Sequence, residues 1–261
     1  MTITKIASLA LLCLSAILLI GLQLKPEAWL VLSAGALTLL FCGKKFRNYL
    51  LLVCLSVVIL GLTPITTEIS WGHIAIMGTT LLAALFLPYA ISHFLWKDRL
   101  LKFQFLSGQS WHRSEVIYIL VTAALAYFLV PFYLKNTGAY LNWTVEPGVS
   151  NILRFFAGTN LLGIWDELFF IGTVLSILRK FIPFGWANLA QATLFTSFLY
   201  ELGFTGWGPA AIFIFALSQG YIYKKTESLL YIITIHLTLD FVLFLALLNA
   251  HHPTWVPIFI T

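Results

Sequence analysis

Apolar runs of membrane length, separated by short polar turns, organise this sequence from end to end. A bilayer core about 30 Å thick takes about 20 apolar residues of helix to cross. Nine stretches approach that length: 4–22, 27–42, 48–63, 72–96, 115–133, 155–178, 187–203, 207–223 and 228–249. The second, third, seventh and eighth are short, so the pattern predicts eight or nine spans. Backbone N–H and C=O groups in lipid have no water to bond, and a helix satisfies them within its own segment. The expected fold is all-α, a polytopic transmembrane helical bundle. The polar loop over 97–113 divides it into two expected units, 1–103 with about four spans and 104–261 with the rest. No heptad run, low-complexity tract or clear internal repeat is present.

Composition agrees with that reading. Of 261 residues, 60% are hydrophobic and 10% charged, against about 25% charged in a soluble domain. Too few charges exist to cover a globule in water. The net charge of +5 invites comparison with nucleic-acid binders. The basic residues, however, form short caps between apolar runs, and no nucleic-acid partner is expected. Lys44, Lys45 and Arg47 flank one turn, Lys97, Arg99, Lys102 and Arg113 a second, and Arg179, Lys180, Lys224 and Lys225 two more. They alternate with poorly basic loops at 64–71, 134–150 and 204–206. That asymmetry predicts a multi-pass protein of the cell membrane with a cytoplasmic N-terminus and, for nine spans, an external C-terminus. The run over 6–22 after Lys5 lacks a convincing cleavage site and reads as an uncleaved first span. Trp71, Trp96, Trp111, Trp143, Trp186, Trp207 and Trp255 fall near span ends, as an aromatic belt requires. Cys13, Cys42 and Cys54 lie within apolar segments and read as small buried hydrophobes.

Only ten residues are acidic, and six of these lie in loops or at span ends. The other four, Asp166, Glu167, Glu201 and Asp240, sit inside apolar spans with His236 among them. An ionisable group at that depth costs at least about 2.5 kcal/mol and marks a functional site by default. A bland alternative is that such groups tie helices together through buried hydrogen bonds. Asp166 and Glu167 are adjacent and point about 100° apart on a helix. His236 and Asp240 are four apart and share a face. Two carboxylates beside an imidazole suit water activation: one removes the proton and its neighbours stabilise the oxyanion. The same groups have the oxygen and nitrogen atoms that metals take, yet HExxH is absent and only one histidine lies among them. No metal and no cofactor are expected.

At these residues the sequence resembles the CAAX protease and bacteriocin-processing family, intramembrane glutamic proteases with the motifs EExxxR, FxxxH and HxxxN or HxxxD on separate membrane helices. Residues 166–172, Asp-Glu-Leu-Phe-Phe-Ile-Gly, look like the first motif, commonly EELFFRG. His236 through Asp240 match the third, and 220–236 are similar to the family's approach to it. The resemblance covers about 115–249, which makes 104–261 a core of that type. Asp166 replaces the first Glu, Ile171 stands at the motif Arg, and Glu201 occupies the second-motif His region with Phe198 three residues before it. The resemblance implies that Glu167 with Asp166 acts as base and that His236 and Asp240 bind the oxyanion or orient water. Glu201 enters the candidate set as a substitution. The implied function is an endopeptidase acting on a membrane-embedded or C-terminal peptide within the lipid bilayer. A pseudoprotease that holds a membrane partner, as an immunity or maturation factor, is a second reading. A proton or cation transporter is a third.

Overall fold

Nine helical rods form where the apolar runs predict them, and no strand occurs among the described residues. The computed structural model describes residues 2–98, 100–108 and 110–259. Of the basic residues that set the expected orientation, Arg99 lies outside these. The rods are α1 (Ile3–Gly21), α2 (Lys25–Thr38, ending in a 3-10 turn Leu39–Phe41), α3 (Lys44–Leu62), α4 (Trp71–Leu95), α5 (Arg113–Thr137), α6 (Val149–Leu178), α7 (Phe184–Glu201), α8 (Gly208–Thr226) and α9 (Leu229–His251). Six are long and apolar enough to cross a membrane: α1, α3, α4, α5, α6 and α9. The protein is an all-α, multi-pass membrane protein. Helix α2 is shorter, while α7 and α8 carry amides, among them Asn188, Gln191 and Gln219, that are buried.

Local signals set the helix ends. At the start of α5, His112 and Glu115 form a capping box, in which the His112 N–H donates to Glu115 Oε2 at 2.6 Å, meeting donors that a helix leaves orphaned. Gly138 closes α5 in a left-handed conformation (φ +70°). The first donors of α9 are met from the loop before α5. Leu229 N–H bonds the Gln104 carbonyl at 2.9 Å and Leu230 N–H the Phe105 carbonyl at 3.0 Å. Ser228 caps the Tyr231 N–H at 3.3 Å. The loop after α4 thereby fixes the entry of the last helix.

Helix α6 is the central rod: it packs against α7 and α9 and is buried along most of its length, whereas little of α5 is buried within the protein. Trp165 of α6 donates its indole N–H to the Leu81 carbonyl of α4 at 2.8 Å, giving a buried polar tip its partner. One hydrophobic core runs continuously from Leu9 of α1 to Ile235 of α9. A smaller one gathers Trp143, Phe155 and Phe244. Trp143 therefore departs from the expected belt. It is buried against Phe155 and Phe204, while the other six belt tryptophans are exposed. The three cysteines carry no disulfide; Cys54 is buried and the other two half-buried.

Candidate active site

Helix α6 changes its winding at the paired acids. It is α-helical to Asp166 and π-helical over Glu167–Leu175. The wider winding shows in two side chains that bond back five residues: Thr173 Oγ1 to the Leu168 carbonyl at 3.1 Å and Ser176 Oγ to the Ile171 carbonyl at 3.0 Å. Such segments are rare and recur at functional sites. Here the winding begins at a carboxylate, and it departs from the plain α-helix expected at this point.

Three carboxyl groups surround one imidazole. His236 Nδ1 and Glu167 Oε1 are 2.7 Å apart. The other ring nitrogen, Nε2, faces Asp240 Oδ1 at 3.6 Å and Asp166 Oδ2 at 3.9 Å. The hydrogen bond to Glu167 places the proton of a neutral imidazole on Nδ1, because a carboxylate only accepts. Glu167 is 1% exposed, and Asp166, His236 and Asp240 are also buried. Phe195 and Phe215 lie against the imidazole with ring centroids 5.8 and 5.5 Å away. One oxygen on each of Asp166, Glu167 and Asp240 is buried without a hydrogen-bond partner. Unpartnered buried oxygens of this kind are costly, and they are the acceptors a reacting water would use.

Gly163 lets the helices come this close. A Cβ there would stand 1.9 Å from Asp240 Oδ2 and 3.2 Å from the His236 ring. The α6–α9 crossing is therefore tight because the residue three before Asp166 has no side chain.

Of the five residues singled out by sequence, four converge: Asp166, Glu167, His236 and Asp240. Glu201 does not. It ends α7, where Oε1 accepts from Gln23 Nε2 at 2.6 Å and from the Ile65 N–H at 3.0 Å. Its partners come from the α1–α2 turn and the α3–α4 loop, so it joins the two halves of the chain instead of completing the cluster. Ile171, at the motif arginine position, is buried in the apolar core. A residue missed by sequence takes part instead. Gln219 of α8 donates from Nε2 to Glu167 Oε1 at 3.2 Å. Its signal was a lone amide in an apolar run, which a search for charges passes over. Among the described residues, no group of three or more His, Cys, Asp or Glu is arranged to hold a metal ion.

Residues 148–242, from the start of α6 to the middle of α9, match the family model described as type II CAAX prenyl endopeptidase Rce1-like. That segment, about a third of the chain, is similar to the CAAX protease family. No curated protein and no solved structure matches it. The family segment holds all four converging residues, and the α1–α4 helices lie outside it.

Proposed function

We propose that this protein is an intramembrane endopeptidase in which Glu167 activates water. The observation that carries the reading is the Glu167 carboxylate itself: Oε1 is bound to His236 at 2.7 Å while Oε2 is buried and unpartnered. A base held by one oxygen and open at the other has the geometry for proton abstraction. In the reaction Glu167 takes a proton from water as the water oxygen adds to the peptide carbonyl carbon. It then returns that proton to the departing amine nitrogen as the C–N bond breaks. His236 holds Glu167 in place, and Asp166 and Asp240 flank the imidazole where water or the tetrahedral oxygen would be oriented. The substrate class is a membrane-embedded or C-terminal peptide that reaches the site from the bilayer, with no cofactor. The setting is the cell membrane, with the N-terminus on the cytoplasmic side.

The test is cleavage of a co-expressed membrane peptide. Removing a general base costs about 10²–10⁴-fold, so Glu167→Gln loses cleavage by that factor at unchanged protein level. Equal cleavage by both proteins refutes the assignment. A second reading, a partner-binding pseudoprotease, draws on the burial of Glu167 and on the second-motif region giving its acid, Glu201, to a structural contact. It predicts that neither protein cleaves and that both retain the same membrane partner.

A further inference from the structure

Gln219 lies on α8, outside every motif that the sequence offered, yet it is 1% exposed at the centre of the bundle. Its Nε2 donates to two acceptors, Glu167 Oε1 at 3.2 Å and the Ile232 carbonyl of α9 at 3.2 Å. Both partners are oxygens that only accept, so the amide has one tenable orientation. Turned over, it would set its own oxygen against a carboxylate and a carbonyl. Ile232 lies one helical turn before His236, so this one side chain ties the carboxylate of α6 to the same stretch of α9 that presents the imidazole.

We infer that Gln219 is a positioning residue for Glu167, holding Oε1 jointly with His236 so that Oε2 is left as the working oxygen. The inference rests on the peptidase reading above for its consequence, but the geometry stands on contacts alone. Two donors converge on Oε1, from Gln219 and His236, whereas Oε2 has none. With Gln219 gone, a single contact to His236 remains and the carboxylate can rotate about its last bond. The remaining Oε1 then accepts more strongly from His236, because the two donors no longer share one oxygen.

The test uses the full chain, purified in detergent and labelled with ¹⁵N on histidine. Gln219→Met keeps the length of the side chain and removes the donor. The His236 signals are identified by their loss in His236→Gln. In Gln219→Met the His236 Nδ1–H proton moves downfield while the other five of the six histidines keep their positions. In the cleavage assay kcat falls about 10- to 100-fold, the scale of a hydrogen bond to a charged group, with KM unchanged. A merely structural role would move KM, melting temperature and several histidine signals together. Unmoved His236 signals overturn the inference whether or not the wild type cleaves, and absence of cleavage by the wild type counts against the peptidase reading alone. If Gln219→Met does not accumulate folded, Gln219→Asn, an amide one methylene too short to reach both acceptors, gives the same two readouts.

Discussion

Glu167 is a buried carboxylate and Glu201 a half-buried one, both at helical positions, and the regions that hold them use them in opposite ways. At the end of α7, Glu201 takes a side-chain amide and a backbone N–H from the N-terminal half. That arrangement meets an orphan donor and joins two parts of the bundle. In the core where α6, α8 and α9 meet, Glu167 takes an imidazole and an amide that belong to the same family segment, and Asp166 and Asp240 crowd the far side of the imidazole. One region uses a carboxylate to hold helices together. The other gathers three carboxyl groups around one imidazole, more acid than holding requires, a costly arrangement that a reaction would justify. An acid inside a membrane protein is thus read by which other ionisable groups stand beside it.

The sharpest way to break the comparison is to neutralise the two glutamates in parallel. Glu167→Gln abolishes cleavage by about 10²–10⁴-fold, while Glu201→Gln, which keeps an acceptor oxygen for Ile65, changes cleavage less than about threefold on the scale of exposed and peripheral contacts. A large loss in the Glu201 variant at full stability would return that residue to the site. Next in size is Gly163→Ala. The added Cβ displaces the Asp240 carboxylate or separates α6 from α9, costing about 1–3 kcal/mol and lowering kcat more than the melting temperature alone explains. Thermal unfolding and cleavage measured on the same preparation separate the two effects.

Glu201→Ala removes the acceptor of Ile65 and Gln23 and costs about 1–3 kcal/mol, seen as a lower melting temperature with cleavage per folded molecule retained. The smallest effect is at Arg179. Its guanidinium makes two bonds to Glu227, at 2.8 and 3.0 Å, and these hold its pKa above the ordinary arginine value. The pair is partly exposed, so Arg179→Ala costs at most about 1 kcal/mol. That difference shrinks in high salt, as melting curves across ionic strength will show.

Much of this molecule was legible along the chain. Apolar length predicted the nine rods because a helix is the one open-ended way to satisfy backbone groups in lipid, and the spacing of His236 and Asp240 put both on one helix face. The rarity of acids drew attention to Asp166 and Glu167. Sequence also proposed that Glu201 would join them, since it lies inside an apolar run like the others. Its position at the last turn of α7 instead places it within reach of Ile65 and Gln23, whose approach depends on how the α1–α2 turn and α3–α4 loop fold back. Trp143 failed as a belt residue for a related reason: proximity to a span end does not say whether the loop beyond turns inward. Gln219 escaped notice because an uncharged amide has no composition signal.

By itself, then, the sequence determined the solvent of this protein, the helices that the solvent demands and five polar side chains that needed partners. Tertiary structure decided which of those side chains meet. That decision depends on the close crossing of α6 and α9 at Gly163, on the change of winding at Glu167 and on an amide from α8. Each is a distance between segments far apart in the chain, and hydrophobic periodicity, which records one helix at a time, carries no term for distances between helices.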